Sequence, residues 1–160
     1  MSNFGVIAPA HRIYIAGPMT YHPHFNFPAF IEAGQRLLAA GFDVVNPAEL
    51  DSDEERAAAM ASLDGHPIHY ANGKTWGDFL ARDVKLIADG GIEAVVCLPG
   101  WEKSRGARLE TFVAFLCGLP IYVLWGDGVA ATSLAYLLES WGGHNLRDDL
   151  DLITPGRAVA

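Results

Sequence analysis

Cysteine is scarce in this chain of 160 residues: only Cys97 and Cys117 occur. Both sit in apolar stretches, so the expectation is two buried free thiols and no disulfide framework. No apolar run approaches the ~20 residues that a membrane span needs. Residues 1–12 lack the charged region and apolar run of a signal peptide, which makes a reducing, cytoplasmic setting the expectation. Positive charge is also short. Eleven Lys and Arg stand against nineteen Asp and Glu, for a net charge of −8. A nucleic-acid polymer is a poor partner for such a chain, because phosphate backbones recruit Lys and Arg. A single nucleotide held in one local pocket is still compatible. Internal repeats and low-complexity segments are missing too.

What is present is a hydrophobic fraction of 51% with 19% charged residues, enough for one ordinary domain with a full core. Short apolar runs alternate with helical periodicity. RIYIA (12–16) reads as a buried strand entering a tight loop at Gly17-Pro18. A helix is expected over 27–40, with Pro28 in its first turn and Gly41 after its end. A second strand follows over 42–45, stopped by Asn46-Pro47. Further helices are expected over 76–88, 106–116 and 130–141, with strands over 93–98 and 121–124. Strands that are apolar throughout and alternate with helices imply a parallel sheet covered on both faces. The expected fold is a single-domain three-layer α/β/α sandwich with a flavodoxin-like or Rossmann-like sheet of about four to five strands. Its core should span about residues 12–141. The stretch 51–75, first acidic and Ala-rich, then rich in Gly, Pro, His and Asn, reads as a short helix and a long loop, an insertion or mobile segment.

Sheets of this kind bind ligands beyond the carboxyl ends of their strands. Gly17, Pro18 and Met19 fall there after the first strand, and Asn46-Pro47 after the second. After the third comes PGWEKSRG (99–106), leading into a helix that carries Glu110. Ser104 and Gly106 stand where that helix starts. Its free backbone N–H groups suit an anion such as phosphate, with Arg105 and Arg108 adding charge; Ser104 is equally an ordinary N-cap. Glu110 lies just over one turn in. A carboxylate there interacts with the helix dipole, or, among the apolar neighbours of this helix, points into the pocket as a nucleophile or acid–base group. Asp83, beside Arg82, is either an Arg-paired surface residue or a second carboxylate of the site. Retaining glycoside cleavage uses two: one attacks the anomeric carbon, the other protonates the leaving group.

Three pieces, RIYIAGPMT, ARDVKLI and SRGARLE after its apolar strand, occur in an order and spacing that resembles the nucleoside 2-deoxyribosyltransferase-like superfamily. That group includes the 2'-deoxynucleoside 5'-monophosphate N-hydrolases, and the likeness is greatest to a small branch found in phages and bacteria. The resemblance covers about residues 12–124. It implies that Glu110, in the Ser-x-Gly-x-x-x-Glu motif, is a nucleophile forming a glycosyl ester. It implies that Asp83 assists departure of the base, and that Tyr14, otherwise a core aromatic, orients the glutamate. Ser104 and Gly106 would match the 5'-phosphate site of the hydrolases, and Arg105 nearby favours a nucleotide over a nucleoside. A homo-oligomer and no cofactor are further expectations from the family.

The chain also departs from the pattern. Its first loop has Gly17-Pro18-Met19 where the hydrolases are richer in glycine, and Trp101-Glu102-Lys103 makes the loop before Ser104 longer and bulkier. Trp101 either stacks on a base or shields the loop. Asn26 and Trp76 either line the crevice or serve as a helix cap and a core side chain. The stretch 51–75 has no counterpart in the family. The six histidines lack the spacing and third ligand of a zinc site, so no metal is expected. Two other functions compete with the enzyme: a non-catalytic nucleotide-binding module using the same pocket, and a different phosphate-ligand enzyme on a flavodoxin-like fold.

Overall fold

A computed structural model describes residues 11–142; the tail beyond, including His144, lies outside the described residues. Five strands form one sheet in the order β2-β1-β3-β4-β5. β1 (Arg12–Ala16) lies between β2 (Asp43–Val45) and β3 (Ala94–Cys97), paired in parallel to both. β4 (Ile121–Trp125) continues the parallel set. The helices are α1 (Phe27–Ala39), α2 (Asp53–Ala61), α3 (Trp76–Asp89), α4 (Arg105–Leu116) and α5 (Leu134–Gly142). This is the single-domain three-layer α/β/α arrangement, and its elements lie within a few residues of those expected.

The end of the chain corrects the sequence reading. Residues Gly128–Ala131 form β5, antiparallel to β4, rather than opening the last helix. Gly126 and Asp127 turn the chain between the two strands, with Gly126 at positive φ, where a glycine carries no Cβ penalty. Val129 is buried opposite Leu124. Ala130 and Ala131 are helix formers by propensity, and the cross-strand pairing overrides that preference. The cysteines also divide: Cys97 is buried, whereas Cys117 is exposed at the C-cap of α4.

Alternation along β1 sets the layers. Ile13 and Ile15 pack on the α1 side with Phe30, Leu37 and Val96. Tyr14 and Ala16 face the other layer, with Val95, Cys97, Ala107 and Ala114. Tyr14 therefore points toward α3 and α4. The 51–75 stretch holds α2, with Ser52 and Glu55 forming a capping box, and a short 3-10 turn at Pro67–His69. It is tied down. The Tyr21 N–H donates to the Gly65 carbonyl at 2.9 Å, the His24 N–H to the Ser62 carbonyl at 2.7 Å, and Lys74 pairs with Glu55 at 2.9 Å.

Candidate active site

A cleft of about 700 Å³, its open mouth included, lies at the carboxyl end of β1 and the start of α4. α4 contributes Ser104, Gly106, Ala107 and Glu110; α3 contributes Trp76, Phe79, Leu80, Arg82 and Asp83. The loop after β1 supplies Gly17, Met19, Thr20 and Phe25, and the 51–75 stretch supplies Asp51, Glu55 and Tyr70 among others. The structure thus brings Glu110, Asp83, Gly17, Met19, Ser104 and Gly106 to one cavity, and sets Tyr14 behind Glu110.

Glu110 is buried, 7% exposed, on the inward face of α4. The Tyr14 hydroxyl donates to its Oε1 at 3.2 Å, across 96 residues of sequence. Burial raises the Glu110 carboxyl to about 8, and the charge of Asp83 adds to this; the Tyr14 hydroxyl and Arg82 act the other way. Burial also raises Tyr14 well above the ordinary tyrosine value, with the Glu110 charge reinforcing it, so this hydroxyl stays a donor. Asp83 is raised by burial and lowered by Arg82, and Asp51 follows the same two influences.

Arg82 is the hub. Its Nε donates to Asp83 Oδ1 at 2.8 Å and its Nη1 to Asp51 Oδ1 at 2.5 Å. Its Nη2 reaches the Pro47 carbonyl at 3.5 Å. Asp51, Arg82, Tyr70, Phe25 and Phe79 are site residues that the sequence reading missed. Arg82 carried a signal, its adjacency to Asp83. Asp51 carried none, because it lies 31 residues away and meets Arg82 only through the fold.

Ser104 is the N-cap of α4, its Oγ accepting from the Ala107 N–H at 3.3 Å, and it also lines the cleft. Gly106 is unconstrained by packing: a Cβ there would meet nothing closer than the Ser104 Oγ at 3.9 Å, and the residue lines the cleft. Gly17 differs, because a Cβ would press on Leu98 and Phe30 at 3.0 Å. Other expected binding residues lie off the cleft wall. Pro18 is buried behind it, and its carbonyl accepts from the Asn26 Nδ2 at 2.8 Å, so Asn26 fixes the first loop. The Arg105 guanidinium lies over the Trp76 ring at 4.7 Å rather than over the cavity.

Trp101 is corrected outright as a base-stacking ring. It is fully buried in the core with Tyr14 and Ala107, edge-to-face with Tyr136 at 6.0 Å, because burying so large an apolar ring outweighs leaving it in the loop. Three histidines make contacts within the fold: His24 meets the Met60 carbonyl, His66 accepts from the Ile68 N–H, and His69, which also lines the cleft, pairs with Asp64. Among the described residues no group of three or more His, Cys, Asp or Glu is arranged to hold a metal, and no helix is long and apolar enough to cross a membrane.

A family model described as "Domain of unknown function (DUF4406)" matches residues 11–65 and 63–123 of the chain. No curated protein and no solved structure matches it.

Proposed function

We propose that this chain, which belongs to the DUF4406 family, cleaves or exchanges the N-glycosidic bond of a nucleoside or a nucleoside 5'-monophosphate, through a glycosyl ester on Glu110. The observation that carries the reading is a buried Glu110 held by the Tyr14 hydroxyl in the same cleft as Asp83. The three sequence pieces that resemble the nucleoside 2-deoxyribosyltransferase-like superfamily meet in that cleft.

Both carboxyls are raised, Glu110 to about 8, so the pair keeps one proton near neutrality. One proton on two carboxyls is what the chemistry requires. At rest that proton lies on Glu110, beside the charged Asp83; its transfer to Asp83 leaves Glu110 a carboxylate free to attack C1' of the sugar. The C1'–O bond forms as the C1'–N bond breaks, and the electron pair goes to the base, which takes the Asp83 proton. Water, or a second base in an exchange, then attacks C1'. Asp83 removes its proton and the Glu110 carboxylate leaves. The Tyr14 hydroxyl orients Glu110 and offsets its desolvation.

The reading includes assembly with copies of itself. Leu109, Phe112, Phe115 and Leu116 on α4 are between 40% and 67% exposed, a run of large apolar side chains that a monomer seldom leaves to water.

The test is incubation of the purified protein with deoxy- and ribonucleosides and their 5'-monophosphates, with and without a free acceptor base, read by chromatography. Release of free base identifies a hydrolase, and exchange that needs an acceptor identifies a transferase. Tight binding of one compound without turnover overturns the enzyme in favour of a binding module.

A further inference from the structure

Asp51 has no part in the chemistry above, yet its side chain is 8% exposed and lines the same cleft. Arg82 takes the Oδ1 of Asp51 and the Oδ1 of Asp83 on two different nitrogens, which ties both carboxyls to one guanidinium in the same cleft. The Oδ2 of Asp51 makes no hydrogen bond among the described residues. A wall of three rings stands beside this clamp. Phe25 stacks on Tyr70 with centroids 5.0 Å apart, and Tyr70 tilts onto Phe79 at 4.9 Å. All three line the cleft.

Placing Phe25 there requires unusual backbone. His24, Phe25 and Asn26 are consecutive residues at positive φ, none of them glycine. For a residue with a side chain this region is disfavoured, because the Cβ crowds the backbone. The strain is held by the hydrogen bonds of His24 to the end of α2 and of Asn26 to Pro18. An aromatic wall built at that cost suits a flat ligand.

We infer that the Asp51–Arg82–Asp83 clamp and the Phe25–Tyr70–Phe79 wall form the subsite of the leaving base, and that it selects a base with an exocyclic amino group next to a ring nitrogen. The inference rests on the reading of Asp83 as the acid. An Asp83 that delivers a proton is a donor toward a ring nitrogen. The Asp51 carboxylate beside it is only an acceptor. This donor–acceptor pair is the complement of the N7 acceptor and N6 amino donor of adenine, or of N3 and the N4 amino group of cytosine. A 6-oxo purine presents two acceptors on the same edge, so its O6 faces the Asp51 carboxylate without a hydrogen. Uracil and thymine place a 4-oxo group there.

The closing experiment uses binding as well as turnover, so that the two readings fail separately. Glu110→Gln is titrated calorimetrically at neutral pH with adenine and with hypoxanthine, which differ at position 6. Turnover of 2'-deoxyadenosine and 2'-deoxyinosine, with their 5'-monophosphates, is compared in the wild type. The amino-bearing base is expected to bind and react about tenfold better or more, the discrimination of one good paired contact. Asp51→Asn keeps a carbonyl oxygen for Arg82 and turns an amide donor toward the base, so the ratio should fall toward one or invert. Equal or better binding of hypoxanthine by Glu110→Gln overturns the inference, as does an unchanged ratio with Asp51→Asn, or binding of neither base. A preference for adenine without turnover keeps the subsite and sinks the glycosidase. Turnover that ignores position 6 does the reverse.

Discussion

Glu110 shows how far a residue's chemistry depends on its surroundings. A glutamate near the start of a helix is ordinarily a solvated partner of the helix dipole. Here burial raises its carboxyl to about 8. Replacing it isosterically, Glu110→Gln, should abolish turnover in the chromatographic assay while leaving the circular dichroism of the fold unchanged; wild-type activity in that variant would remove Glu110 from the mechanism. Tyr14→Phe deletes the single hydroxyl on Glu110. A hydrogen bond to a charged group is worth about 1.5–3 kcal/mol, so kcat should fall about 10- to 100-fold with a smaller change in KM. The sequence named Tyr14, Asp83 and Glu110 through their motifs. It gave no route to Asp51, whose role exists only because Arg82 reaches both aspartates.

At the scale of the element, α4 is where local and tertiary demands coincide. Ser104 caps it and also lines the cleft. Ser104→Ala should lower stability by about 1 kcal/mol, the usual worth of an N-cap, measured by denaturant unfolding. If the start of α4 holds a 5'-phosphate, the same variant weakens 5'-monophosphates more than nucleosides. Equal losses would assign Ser104 to capping alone. The 51–75 stretch was legible as a short helix and a loop, because its acidic, Ala-rich start favours a helix and Gly, Pro, His and Asn mark the rest. That it closes one side of the cleft was not legible, since its anchors, Gly65 on Tyr21 and Ser62 on His24, join it to a loop some forty residues earlier. The β4–β5 hairpin was missed for a related reason: the apolar and alanine residues after Gly126 suit either element, and only pairing with β4 decides between them.

The whole molecule should answer to pH. In the unfolded chain Glu110 titrates at the ordinary carboxyl value of 4.5, and in the folded protein at about 8. Between these values the native state holds a proton that the unfolded state has lost. Stability from this group is therefore complete below about pH 4.5 and is lost as pH rises toward 8, by on the order of a few kcal/mol. Thermal unfolding followed across that window should show Glu110→Gln declining less than the wild type; parallel curves would show that Glu110 is not buried as a protonated acid. Activity should follow a bell, since the working pair holds one proton, with the alkaline limb falling where the pair loses that proton and no acid is left for the departing base.

The sequence by itself determined the layered α/β/α fold, the order of its elements nearly to their ends, and the small set of carboxylates, tyrosine and loop residues at the strand ends. The elements follow from periodicity, capping and turn chemistry, which act over a few residues, whereas Tyr14 and Asp83 stood out only through the resemblance of their motifs to a known superfamily. The tertiary structure alone decided which of those residues share a cavity. It turned Trp101 into the core, set Arg105 on Trp76, stood Phe25, Tyr70 and Phe79 in one wall, and joined Asp51 to Asp83 through Arg82. Such contacts span tens of residues, and no local signal encodes them. They arise when apolar burial fixes the layers and the remaining polar groups must find partners within them.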